Sequence, residues 1–188
     1  MVSVVVAGDG PLAAALAGWY RETGAKVADL SFDHDLEVQL RSVTGPVDLL
    51  VIADGFEPEP GSVASFDRQQ LGAAMHRLTF LPFRLAALLQ PQLSAAKGRV
   101  VLLSRSDARM EVPDRTGRYL ERPFRAAAHT LWRCLSVEWR DAGISVGLVA
   151  IDPNAAPPVA ELALAIAGGG DEPSPVELID TAGRALGW

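Results

Sequence analysis

The chain has 188 residues, 49% of them hydrophobic, with a net charge of −6 and a pI near 5.0. That length buries one good core and is too short for two ordinary domains, while the acidic balance offers no electrostatic footprint for nucleic acid. The single cysteine, Cys134, excludes an internal disulfide and suits a reducing cytoplasm; in its apolar helical pattern it reads as a small buried hydrophobe.

Taken in chain order, the elements alternate. Val2 to Ala7 is a β-branched run without a basic leader, so it reads as a buried strand and not as a signal peptide. Gly8-Asp9-Gly10 turns it into a helix from Leu12 to Thr23, which Gly24 ends. Lys26 to Ser31 is a second strand, Asp33 to Val43 a polar segment, and Val47 to Ala53 a third strand ending at Asp54-Gly55. Pro58, Pro60 and Gly61 mark a loop before a long helix, Phe66 to Leu93, with a kink expected at Pro82. Val100 to Leu103, a helix from Arg122 to Arg140 and Ile144 to Ile151 complete the alternation. The tail reads as two short helices, Val159 to Ala167 and Pro175 to Leu186, on either side of Gly168-Gly169-Gly170, with no strand after Ile151. No apolar run reaches the ~18 residues of a membrane span, so the expectation is a cytoplasmic protein.

Strands alternating with helices imply parallel pairing. The fold class expected is α/β: a doubly wound parallel sheet in a Rossmann-like three-layer α/β/α arrangement. It is read as one domain over 1–188, a core of 1–153 and a short helical tail of 154–188.

Chemistry in such a fold belongs at the carboxyl ends of the strands. Gly8, Gly10 and Ala13 fit the Gly-x-Gly-x-x-Gly/Ala dinucleotide pattern: a tight turn, a close backbone approach to a pyrophosphate, and close helix packing. Against it, Asp9 places a carboxylate where an anion should sit, and Pro11 removes an amide donor. Neither Asp29 nor Ser31 is clearly placed for a ribose. His34, His76 and His129 are scattered and predict no metal site, and nothing fixes a catalytic set from Ser106, His129 and Asp107.

The order of segments resembles the short-chain dehydrogenases/reductases from Val2 to about Pro153. The landmarks are the Gly turn, Thr23-Gly-Ala-Lys-Val27, Val47-Asp-Leu-Leu-Val51 before Ala53-Asp54-Gly55, Phe83-Arg-Leu85, Gly98-Arg-Val-Val101 before the serines, and Gly143-Ile-Ser-Val146. The resemblance implies NAD or NADP at Gly8, Gly10, Ala13 and Gly55. It also implies a serine and a Tyr-x-x-x-Lys pair for catalysis, and an interface between subunits on helices 66–93 and 122–140. The chain departs from these motifs. Arg105 stands at the serine's place beside Ser104 and Ser106, Leu78 or Arg77 at that of a structural asparagine, and Glu121 and Arg125 at those of the tyrosine and lysine. Counting from Tyr119 leads to Pro123, and the only lysines are Lys26 and Lys97.

A phenol needs a neighbouring cation to work near neutral pH, and Glu121 with Arg125 reads instead as a helix ion pair. From these departures the sequence predicts a C-terminally shortened, catalytically inactive subunit with no cofactor. It would form a homodimer, or a hetero-oligomer with an active relative, through apolar residues such as Phe80, Phe83, Trp132, Leu135, Val137 and Trp139. The alternative is an NAD(P)-dependent oxidoreductase acting on a carbonyl or alcohol, using Ser106, Tyr119 and Arg125. A second alternative is a nucleotide-binding sensor.

Overall fold

In the computed structural model the described residues are 1–58, 60–109, 118–155, 157–168 and 175–187. Six parallel strands form one sheet: β1 Ser3–Ala7, β2 Lys26–Leu30, β3 Leu49–Ile52, β4 Arg99–Arg105, β5 Ser145–Ile151 and β6 Leu178–Asp180. Their spatial order is β2-β1-β3-β4-β5-β6. The chain steps outward from β1 to β2 and then crosses to the other side of β1, so the switch point of the sheet lies between β1 and β3.

The sheet is buried on both faces because successive side chains point to opposite sides. Val5, Ala7, Leu50, Ile52, Val100, Leu102 and Leu148 face one helical layer, where Leu85, Leu89 and Leu93 of α4 (Leu81–Ala96) and Trp132 and Leu135 of α5 (Arg122–Glu138) complete the core. Val4, Val6, Val51, Val101, Leu103 and Val149 face the other, covered by Leu16, Ala17 and Tyr20 of α1 (Pro11–Glu22) and Leu162 and Ile166 of α6 (Val159–Ala167). The expected three-layer α/β/α arrangement is present.

Several expectations are corrected. A strand does follow Ile151: β6 pairs with β5 through Leu148–Leu178, and the Val176 amide donates to Ser136 Oγ at 2.9 Å. The helix expected from Pro175 to Leu186 is therefore this strand and the turn after it; Gly169 and Gly170 lie outside the described residues. The polar segment after β2 contains a short helix, α2 (Leu36–Leu40), which Asp35 caps by accepting from the Glu37 and Val38 amides.

The long helix is divided into α3 (Arg68–Met75), a π-helical segment from His76 to Phe80, and α4. Pro82 has no N–H to give the carbonyl of Leu78, and the Leu81 amide bonds to His76 instead, so the helix changes register there. Trp132, Leu135 and Trp139 are core residues, which leaves Phe80, Val137, Leu71, Met75 and Leu88 as the exposed apolar positions of these helices. Cys134 is exposed, one step off the buried stripe of α5 formed by Trp132 and Leu135.

Candidate functional site

The switch point brings the loop after β1 against the loop after β3. Gly8 has φ 142°, and a Cβ there would fall inside the carbonyl group of Ala53. Gly55 mirrors it: an added Cβ would lie 2.5 Å from the Asp9 carbonyl oxygen, and the Gly55 amide donates to that oxygen at 3.0 Å. Gly10, with φ 120°, opens α1, and a Cβ there would meet only Gly55 Cα, 3.7 Å away. Ala13 is buried beneath the first turn.

That first turn leaves the Leu12 and Ala13 amides without intrahelical acceptors, and the positive end of the helix points at the crevice. Pro11 sits at the head of the helix, where its missing N–H costs least. Asp9, the apparent obstacle to an anion, is occupied elsewhere. Its Oδ2 accepts from the Phe32 amide at 3.0 Å and is paired with Arg77.

Arg77, carried by the π-helical segment, holds three carboxylates around the switch point. It donates to Asp54 through Nε at 2.9 Å and Nη2 at 3.0 Å, to Asp33 through Nη1 at 2.6 Å, and to Asp9. Phe32 and Phe56 flank the guanidinium, with ring centroids 5.4 and 5.9 Å from Cζ. Burial opposes the charge on Arg77, but its bonds to Asp54 and Asp33 and the charge of Asp9 outweigh burial and hold its pKa above the ordinary arginine value.

A cavity of about 380 Å³ opens beside this point, within the range of small-molecule sites. Its walls come from Pro11 and Leu12 of α1, Ala53 to Gly55 after β3, Leu103 to Arg105 of β4, Arg125 of α5, and Ile151 to Pro153 after β5. At its β4 end, Ser104 Oγ lies 2.7 Å from His129 Nε2, with both residues buried. Burial, and secondarily the charge of Arg125, push the His129 pKa down to about 4, so the ring is neutral at physiological pH.

Glu121 and Arg125 do pair, at 3.0 Å, but not as an exposed helix pair: both are buried, and Glu121 also binds Arg118 and, at 3.2 Å, Arg105. Arg105 reaches Asp107 at 3.2 Å and also pairs with Glu57. Burial raises the pKa of Asp107, but its bonds and charge contacts with Arg105 and Arg118 outweigh that and lower it. Burial lowers the pKa of Arg125 despite Glu121.

Of the residues singled out in the sequence, Gly8, Gly10, Ala13 and Gly55 converge on the switch point, and Arg125 lines the cavity. Tyr119 does not. It is 43% exposed and packs edge-on against Phe66, with ring centroids 6.3 Å apart. Ser106 begins a short 3-10 turn, Ser106–Ala108, and is not among the cavity's lining residues. His129 meets Ser104, not Ser106. Strand parity carries that signal in the sequence: Ser104 lies on the same face as Val100 and Leu102, toward α5. Among the described residues no group of acidic, histidine or cysteine side chains is placed to hold a metal, and no helix is long and apolar enough to cross a membrane.

Compared by sequence, the chain matches no family model and no curated protein. Compared by structure, it is similar over 100% of its length to a carbonyl reductase from Pseudomonas aeruginosa PAO1 in complex with NADP, with a TM-score of 0.82, 20% identity and 100% of that chain covered. A short-chain dehydrogenase/reductase from Burkholderia multivorans with bound NADP gives a TM-score of 0.80 at 14% identity, covering 100% of this chain and 99% of that one. The carbonyl reductase Sniffer of D. melanogaster gives 0.78 at 15% identity, with both chains covered to 100%.

The chain therefore has the fold of the short-chain dehydrogenases/reductases. These findings overturn the expectation of a catalytically inactive subunit without a cofactor: the three similar structures are two carbonyl reductases and a short-chain dehydrogenase/reductase, and two of the three hold NADP.

Proposed function

We propose that this protein is an NAD(P)-dependent oxidoreductase acting on a carbonyl or alcohol substrate. The observation that carries the reading is the crevice at the switch point. There, Pro11 and Leu12 in the first turn of α1 face a cavity whose other walls include the carboxyl ends of β3, β4 and β5. The residues present fit a dinucleotide: the Leu12 and Ala13 amides suit its pyrophosphate, and Asp9 is neutralised by Arg77 instead of facing it. A bound nicotinamide dinucleotide supplies or accepts the hydride. Leu12, Leu103, Ile151 and Pro153 give the cavity an apolar wall, and the Arg125 guanidinium beside it favours negative charge developing on a substrate oxygen.

Titration with NADH and NADPH, followed by the fluorescence of the reduced nicotinamide, is expected to show saturable binding of at least one of them below millimolar concentration. Leu12→Asp, which sets a carboxylate at the helix N-terminus, should weaken it about tenfold or more. Absence of binding for both at millimolar concentration overturns the reading.

The reading includes a cytoplasmic protein that assembles with itself, or with an active relative, through helices 66–93 and 122–140. The support is the exposed apolar set on those helices, Leu71, Met75, Phe80, Leu88 and Val137. Phe80→Glu combined with Val137→Glu is expected to convert the assembly to monomer in sedimentation velocity; a wild-type chain that sediments alone as a monomer rules out self-association.

A further inference from the structure

Resting on the oxidoreductase reading, we propose that Ser104 is the catalytic hydroxyl of this site and that His129 is its proton partner. Ser104 Oγ takes the proton of a substrate alcohol as its own proton passes to His129 Nε2, and the same path runs backward to a carbonyl oxygen.

Ser104 is in the next-to-last position of β4 and lines the cavity; His129 lies behind it on α5, one turn beyond Arg125, which lines the same cavity. At 2.7 Å the Oγ to Nε2 separation is that of a strong hydrogen bond. Ser104 is 4% exposed and His129 2%, so bulk water does not compete for the bond, and of the two Ser104 is the one that lines the cavity. Tyr119 and Ser106 lie outside the cavity wall, and the carboxylate of Glu121 is held by Arg105, Arg118 and Arg125. Ser104 is thus the one hydroxyl among the described residues that lines the cavity.

A serine hydroxyl is too weak an acid to act alone, and a neutral imidazole bonded to it supplies the missing acceptor. Burial keeps His129 in that neutral form, and Arg125 on the same helix, the charged group that acts on it, disfavours the imidazolium. In the oxidation direction the balance is complete. The alcohol O–H breaks, a carbonyl forms, the hydride leaves with the dinucleotide, and the proton ends on His129, from which it returns through Ser104 to water that enters the cavity once the product has left. Reduction begins from the imidazolium, so the resting protein is set for oxidation at neutral pH.

The test uses the full chain with its dinucleotide and a panel of simple alcohols and their ketones. Ser104→Ala is expected to bind dinucleotide as the wild type does and to lose about 100-fold in kcat, while Ser104→Thr retains the hydroxyl and most of the rate. His129→Gln keeps a hydrogen-bonding group and cannot titrate; in it the fall of the reduction rate with rising pH should flatten. By NMR, the His129 pKa should shift in Ser104→Ala even without substrate. Ser104→Ala turning over at the wild-type rate overturns the proposal and leaves the oxidoreductase reading standing, as does loss of the rate in Tyr119→Phe alone. A wild-type chain that binds neither NADH nor NADPH overturns both.

Discussion

Replacing Arg77 by methionine is expected to destabilise the fold by about 3–5 kcal/mol, the cost of leaving buried charge without its partner. Asp54, only 5% exposed in its side chain, loses both hydrogen bonds to the guanidinium, and Asp9, at 28%, loses its cation while sitting in the loop that opens α1. Asp33, at 68%, is reached by water and contributes little. Methionine keeps the apolar stem against Phe32 and Phe56, so the loss reports charge and not volume. Adding Asp54→Asn to Arg77→Met should restore part of the stability, because the most buried of the three carboxylates is then neutral. Urea denaturation of the single and double variants measures both terms. A single variant within about 1 kcal/mol of wild type would mean that the three carboxylates do not depend on this cation.

The second large effect follows pH through His129. Its pKa is lowered from 6.5 to about 4 in the folded protein, so the unfolded chain binds the proton first. A histidine depressed by folding contributes stability that is fully present above the unfolded value and is lost as pH falls from 6.5 through the folded value. Over that window the loss amounts to about 3 kcal/mol, at 1.36 kcal/mol for each pKa unit. Asp107, whose pKa is lowered, acts below this range: its stabilisation is present above the unfolded carboxylate value and disappears only as pH drops further. The two are therefore separable. Denaturation midpoints for wild type should fall steadily between pH 6.5 and 4, and His129→Gln should show a much flatter line there. Parallel lines for the two proteins would refute the assignment.

The parallel sheet was legible because strands buried on both faces appear as unbroken runs such as Val-Val-Val and Leu-Leu-Val-Ile, whatever their neighbours. β6 escaped because its run is short: Leu178 and Ile179 follow a Gly- and Pro-rich stretch that reads as a tail. α2 escaped because a helix of one turn shows no periodicity, leaving only the Asp35 cap as a sign.

The site divided along the same line. Gly8, Gly10 and Gly55 are visible in the sequence because backbone geometry demands glycine there. Arg77 was not, since its partners lie 68, 44 and 23 residues away and only the folded sheet brings them together. The inactive-subunit expectation rests on the family's motif positions taken one at a time, and those positions do not include the contact of Ser104 with His129, two residues 25 apart in the chain. By its charge alone Asp9 reads as an obstacle to an anion, although the structure makes it an anchor.

The reciprocal contact of Gly8 with Ala53 and of Gly55 with Asp9 extends the β1–β3 ladder past the ends of both strands, from Ala53 N on Ala7 O to Gly55 N on Asp9 O. The two loops are consequently stitched into a single lip, which Arg77 rivets from outside. Such a lip cannot fold over an incoming molecule, because parting it means pulling apart β1 and β3. Ligands meet a mould that is already cast, and little of their binding energy goes into shaping it.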